Sequence, residues 1–332
     1  MIWLTWRQFR AQTLAAGGAL ALLALYLIHL GNQIDAFADT RVAGCAGEAC
    51  RVALMELRRG YSDTVAVIGL ALMAAPALIG IFWGAPLVAR ELEERTDRLV
   101  WNQSVTRTRW LVAKLTVIGL SSALVTGVFS LLLTWAVSRY DAAVGDRFAA
   151  MNFAARNIVP IGYGLFAFVL GTVAGMVARR TLPAMAVTLV AFTALQLLVP
   201  SVVRQHLMPP VTETIALDAS VMNSGVGLGL QDDNTIHLHG YHVPGGWALQ
   251  DASQVFKADG SPYTGDDARR CIAAADGVEA TIACTVAQHL HFQHTYQPGN
   301  RYWAFQWIEL SLYTALSLLL AAFGFAWLRR RV

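Results

Sequence analysis

Apolar residues in this chain come in long blocks rather than in the narrow stripe of a surface helix. Six blocks, at about 11–30, 64–88, 115–137, 157–178, 182–203 and 302–328, reach the roughly 20 mostly apolar residues that a bilayer span requires. They predict six transmembrane helices. Between the second and third blocks the pattern breaks at Arg90-Glu-Leu-Glu-Glu-Arg-Thr-Asp-Arg98, the longest strongly charged run. Glu and Arg recur there three and four residues apart, which predicts a solvated helix over residues 89–109. Set between two spans, it has to lie at the membrane surface. The other large break, residues 204–301, holds most of the Asp, His, Asn and Pro, with alternating patches such as Thr235-Ile-His-Leu-His239. It predicts a small mixed, partly β domain between spans five and six. Met1-Ile-Trp-Leu-Thr-Trp-Arg-Gln-Phe-Arg10 is amphipathic and aromatic, as an interfacial helix would be. The expected fold is therefore an all-α membrane body of six helices with an N-terminal interfacial helix and a mixed inserted domain. The divisions are 1–203, 204–301 and 302–332.

Composition agrees with this pattern. Of 332 residues, 56% are hydrophobic and 14% charged, against about 25% charged in soluble domains. If the spans alternate, Arg7 and Arg10, Arg90 through Lys114, Arg179 and Arg180, and Arg329 to Arg331 share one side. Basic residues near span ends mark the cytoplasmic side, so both termini are expected there and the loops 31–63 and 204–301 outside. Arg58 and Arg59 are an exception to the rule. Trp101, Trp110, Trp135, Tyr140, Trp303, Trp307 and Trp327 fall at span ends, as an aromatic belt requires. The net charge of +3 comes mostly from the inner arginines and signals no nucleic-acid surface. Cleavage after Ala36-Phe37-Ala38 is a rival reading of the first block, but that block is too long for a typical signal core. Gly80 with Gly84, and Gly171 with Gly175, permit close helix approach.

The chain has two lysines, Lys114 and Lys257, and neither ends a phosphate-binding Gly-rich loop. ATP hydrolysis by that route is excluded for this chain. All four cysteines lie in the outer loops, which suits disulfides. The local pairs Cys45–Cys50 and Cys271–Cys284 are favoured over a bridge between loops. His237, His239 and His242 form His-x-His-x-x-His, and His289, His291 and His294 repeat it. Two imidazoles on one strand face suit zinc or copper, although ordinary hydrogen-bonded histidines are the favoured reading. Glu309 is an ionisable group inside a span and hence a functional candidate. Either it faces a polar path or, preferably, it pairs with an arginine such as Arg156. Gln196 is a weaker candidate for a pathway.

Several stretches together resemble the permease subunits of type-2 ABC exporters, in particular the actinobacterial branch. These are Met1 to Arg10, Glu91-Leu-Glu-Glu-Arg95, Trp101-Asn-Gln-Ser-Val-Thr-Arg-Thr-Arg-Trp110 and Tyr302-Trp-Ala-Phe-Gln-Trp-Ile-Glu309. The six-span order also matches, although Thr96-Asp97 stands where many members have Gly-Thr. The resemblance implies a half-transporter in a bacterial cell membrane. Two ABC-type ATPase subunits would carry ATP and magnesium, and a second permease copy or a related permease would complete the pore. It implies a coupling helix that docks on the ATPase through Glu91, Glu93, Glu94, Arg95 and Arg98, with Gln103, Ser104 and Arg107 at a second contact. It implies that spans two and five line the route, with Met73, Phe82, Phe192 and Gln196 as contacts for an amphipathic, lipid-like, drug or peptide cargo. The competing readings are a membrane metalloenzyme and a ligand sensor, each using the outer His-rich domain.

Overall fold

The computed structural model describes residues 2–94, 106–145, 147–274 and 276–331, with backbone alone for 2–13, 107, 144 and 331. The chain divides into two units, Met1–Leu207 with Trp303–Val332, and Met208–Tyr302.

The first unit is a helical body. Among the described residues six helices are long and apolar enough to cross a membrane: Leu14–Val42, Glu48–Glu93, Thr108–Ala136, Val159–Ala178, Thr181–His206 and Gly299–Arg330. They are numbered here as spans one to six. About two thirds (67%) of the most apolar window of span four is buried, against 17–39% for the others. Span four is thus the axis around which the rest packs. Its helix begins with Pro160 in the first turn, where the missing N–H costs nothing. Span three begins at Arg107 with Thr106 as N-cap, its hydroxyl oxygen accepting from the Arg109 amide at 3.3 Å.

The two glycine pairs form one seam. A Cβ on Gly80 would stand 2.6 Å from the Ala167 carbonyl oxygen, and one on Gly84 2.5 Å from that of Phe168. From the other side, a Cβ on Gly175 would stand 2.5 Å from the Ala85 carbonyl oxygen, and one on Gly171 would press on that of Gly80. Spans two and four therefore meet backbone to backbone, where any side chain would hold them apart. The seam coincides with a π-helical turn at Gly80–Gly84, between Pro76 and Pro86. A second such turn, Val199–Val203, contains Pro200. Proline removes a ladder donor, and an inserted residue is one way for a helix to absorb that loss.

Two expectations about this unit change, and a third falls mostly outside the described residues. Residues 2 to 37 form one continuous helix, so no separate interfacial helix stands before span one. The loop expected over 31–63 is a helical hairpin. Span one runs on through a π-helical turn at Ala38–Val42, and span two begins at Glu48. The Cys45–Cys50 disulfide bridges the turn. Alanine, leucine and charged residues dominate this stretch, and helix propensity carries both helices beyond their apolar blocks. Finally, the helix ending span two stops at Glu93, and Arg107 already belongs to span three. Whatever continues the charged helix from Arg95 to residue 105 lies outside the described residues.

The second unit carries an antiparallel sheet: β1 (Val211–Ala216), β2 (Gly227–Leu230), β3 (Ile236–His239), β4 (Trp247–Ala248), β5 (Ala252–Phe256) and β6 (His291–Gln297). The order is β1-β6-β5-β3-β2, with β4 also pairing β6. Leu217, Ile236, Leu238, Val255, Tyr263, Leu290 and Phe292 form its core. Two helices, Gly265–Ala274 and Val278–Val286, are joined by the Cys271–Cys284 disulfide.

Candidate functional site

Two polar centres stand out in the helical body. The first joins spans four, five and six. Gln306, Glu309 and Tyr313 recur at helical spacing on span six, which puts them on one face. Glu309 and Arg204 are both fully buried. Arg204 donates through Nε to Glu309 Oε2 at 2.9 Å and through a terminal nitrogen to Oε1 at 3.1 Å. Such a forked pair is the strongest geometry open to a guanidinium and a carboxylate. The Tyr163 hydroxyl also donates to Glu309, and the guanidinium lies 4.1 Å over the Phe153 ring. One turn earlier, Gln306 Oε1 accepts from the Ile158 and Val159 amides at 3.3 and 3.2 Å, and its amide nitrogen donates to the Phe153 carbonyl. This side chain caps span four, satisfying amides the helix cannot satisfy itself.

The partner expected for Glu309 is therefore corrected. Arg156 instead binds Asp141, at 2.9 Å. Arg204, left in the inserted domain by the sequence division, belongs to the last turn of span five. From there its long side chain reaches span six, and no feature of local sequence signals that pairing across 105 positions.

The second centre lies where span two ends. Lys114, only 3% exposed, donates to Glu91 at 2.5 Å and to the Leu87 carbonyl at 3.3 Å. Its ammonium sits 4.4 Å over the Trp110 ring. Glu93 turns the other way and accepts from the Thr181 amide (3.2 Å) and hydroxyl (2.9 Å) at the start of span five. Glu94 pairs with Arg90 on the surface, at 2.9 Å. An open cleft of about 720 Å³ adjoins this end, lined by Glu93, Arg180 and Thr181 among others. Of the residues expected to dock a partner, Glu94 is exposed, Glu93 is exposed but engaged, and Glu91 is turned largely inward. Arg95, Arg98, Gln103 and Ser104 lie outside the described residues, as does the side chain of Arg107.

The four residues read as route-lining differ in burial. Phe82 is 56% exposed, while Phe192 is buried, its ring 6.4 Å from Phe166. Met73 is partly buried against Leu72 and its neighbours. Gln196 is buried one turn beyond Phe192, and neither polar atom of its amide has a hydrogen-bond partner among the described residues.

In the inserted domain two histidines of the first triplet are set apart from the second, while His242 comes near His294. His237 and His239 lie on β3, and β5 stands between that strand and β6. His289 precedes β6 with φ +53°, so the second triplet does not present His289 and His291 as strand neighbours. His291 and His294 fall on opposite faces of β6 by strand alternation. His294 is 1% exposed, stacked on Tyr296 and edge-on to Tyr241, and neither ring nitrogen is hydrogen-bonded among the described residues. Its pKa is lowered by burial and by the nearby His242, against the opposing pull of Glu213. Among the described residues no three His, Cys, Asp or Glu side chains gather as a metal site. The strongest polar cluster there is structural. Asp267 binds Lys257, Thr264 and Arg270; burial alone would raise its pKa, but the hydrogen bonds from Lys257 and Thr264 outweigh this and hold it at about 2.

Against known proteins, the family described as "ABC-2 membrane transporter related" matches residues 17–204, just over half of the chain and the whole of spans two to four. Neither a curated protein nor a solved structure matches it. Six apolar helices, the backbone seam of spans two and four, and this match across more than half the sequence lead to one conclusion: the chain belongs to the ABC-2 membrane transporter related family and is a multi-pass permease component of an ABC transporter, a membrane partner of ABC ATPases.

Proposed function

We propose that this chain is the membrane-spanning half of an ATP-driven exporter, worked by two ATPase subunits that dock on the segment from Arg90 to Arg107. The observation that carries this is the end of span two. Within five residues it turns from fully buried, at Ala89, to exposed and acidic, at Glu93 and Glu94. Such a charged, solvated end, directly after the buried turn of Leu87, Val88 and Ala89, suits a grip for a soluble partner. The match to the ABC-2 family supports the choice of partner. The docking side is the cytoplasm, by the basic residues that flank it. A second copy or a related permease completes the pathway, and ATP-driven closure of the ATPase pair rocks the spans between two arrangements. The cargo leaves the cell and is amphipathic, since the helices offered to it are chiefly apolar.

Co-expression with the cognate ATPase and affinity purification from membranes tests this. The ATPase co-purifies with the unmodified chain, and charge reversal by Glu94→Arg with Arg95→Glu removes it while the permease stays folded. An ATPase retained in full by the reversed variant places the docking surface elsewhere.

A further inference from the structure

The end of span two sends its two inner carboxylates to different spans, Glu91 to Lys114 of span three and Glu93 to Thr181 of span five. We propose that Lys114 and Glu93 are positioning residues that pass the motion of the docking segment to these spans through links of unequal permanence. The inference rests on the docking reading above and adds the route by which a push would travel.

Lys114 makes the permanent link. Its ammonium meets a carboxylate, a backbone carbonyl and an indole face, and its side chain is 4% exposed. Pulling Glu91 away would strand a buried cation, which is strongly unfavourable. Spans two and three therefore travel together at this end. The pin also has depth: the Leu87 carbonyl lies one turn before Glu91, so Lys114 grips two successive turns of the same helix.

Glu93 makes the releasable link. It is exposed, and water competes for both of its hydrogen bonds. The adjoining cleft is open, so the first residues of span five, Thr181 to Pro183, have room to move beside Glu93. The link is a latch. Closed, it ties the start of span five to the docking segment through that span's first residue. Open, it lets span five lag behind the paired spans two and three. A rocking transporter needs both behaviours at one point: a body that follows the push and a joint at which the next helix disengages.

The test uses the full permease–ATPase complex. All four native cysteines are in disulfides, so cysteines introduced at the exposed Val112 and Leu182 accept spin labels without competing thiols on this chain. Trapping with ADP and vanadate is expected to move the separation between the labels by about 2 Å or more. Glu93→Ala is expected to remove about half of that shift or more in the complexes that retain the ATPase, with melting temperature unchanged. Glu93→Gln, which keeps an acceptor, retains most of it. Lys114→Met should reduce both the shift and ATP turnover in the complex; if it fails to fold, Glu93→Ala decides alone. A docked complex in which Glu93→Ala keeps the full shift overturns the latch and leaves the docking reading standing. An unmodified chain that captures no ATPase overturns the docking reading and the latch with it.

Discussion

The two ends of the helical body treat charge in opposite ways. At the Arg204 end, a guanidinium, a carboxylate and a phenol close on one another with no exposure, and Phe153 and Gln306 bind beside them. At the Glu91 end, burial falls along the chain, from Lys114 inside, through Glu91, to Glu93 and Glu94 in solvent. A sealed cluster has one arrangement, because every alternative strands a charge. A graded one can exchange its outer partners for water while its inner pair stays intact. Charge near the membrane therefore serves as a clamp where it is enclosed and as a joint where it is not. The Asp267 cluster of the inserted domain stands between them, with the carboxylate 8% exposed but Lys257 33% and Arg270 76% exposed.

This ordering can be broken by measuring the loss when one partner is removed. The largest effect is expected for Glu309→Leu, which leaves Arg204 buried and unpaired at a cost of about 3–5 kcal/mol. Thermal or denaturant unfolding of the purified protein in detergent measures it. Adding Arg204→Met should recover most of the loss, since an apolar pair of similar volume replaces a buried ion pair well. A single variant as stable as the parent would show that the cluster is not sealed. Lys114→Met should cost less, about 2–3 kcal/mol, because Glu91, at 18% exposure, can still reach water. A loss as large as that for Glu309 would remove the contrast between the two ends.

The smallest effect belongs to Asp267. Its folded pKa of about 2 lies below the ordinary aspartate value of about 3.9, so its contribution is present above pH ~4 and is lost as the pH falls toward 2. Partial exposure of its partners reduces this to about 1–2 kcal/mol. In scanning calorimetry of the full-length protein, Asp267→Asn should lower the transition of the inserted domain at pH 7 and flatten its fall below pH 4. An unchanged acid limb would assign that fall to other carboxylates.

Much of the membrane body was legible in the sequence. Blocks of apolar residues near the length of a bilayer have one stable use, so the six spans follow from composition and period alone. The glycines at 80, 84, 171 and 175 also announced themselves, because small residues four apart on one helix can only lie on one face. The pairing of that face of span two with that of span four was not legible. The hairpin of spans one and two was misread as a loop because hydropathy ends at the membrane boundary whereas helical hydrogen bonding does not. Equal histidine spacing does not give equal placement, because faces repeat only where a triplet lies wholly on a strand, and neither His242 nor His289 does.

Local pattern by itself determined which segments enter the membrane, where the charged break falls, and that most of residues 204–301 are of another kind. It could do so because solvent preference and helical period act over a few neighbours. Tertiary structure alone decided that Glu309 answers to Arg204, Glu91 to Lys114 and Glu93 to Thr181. These pairs span 105, 23 and 88 positions. A buried charge takes whichever opposite charge or donor the packing of the helices brings within reach, and that packing depends on where two backbones can touch.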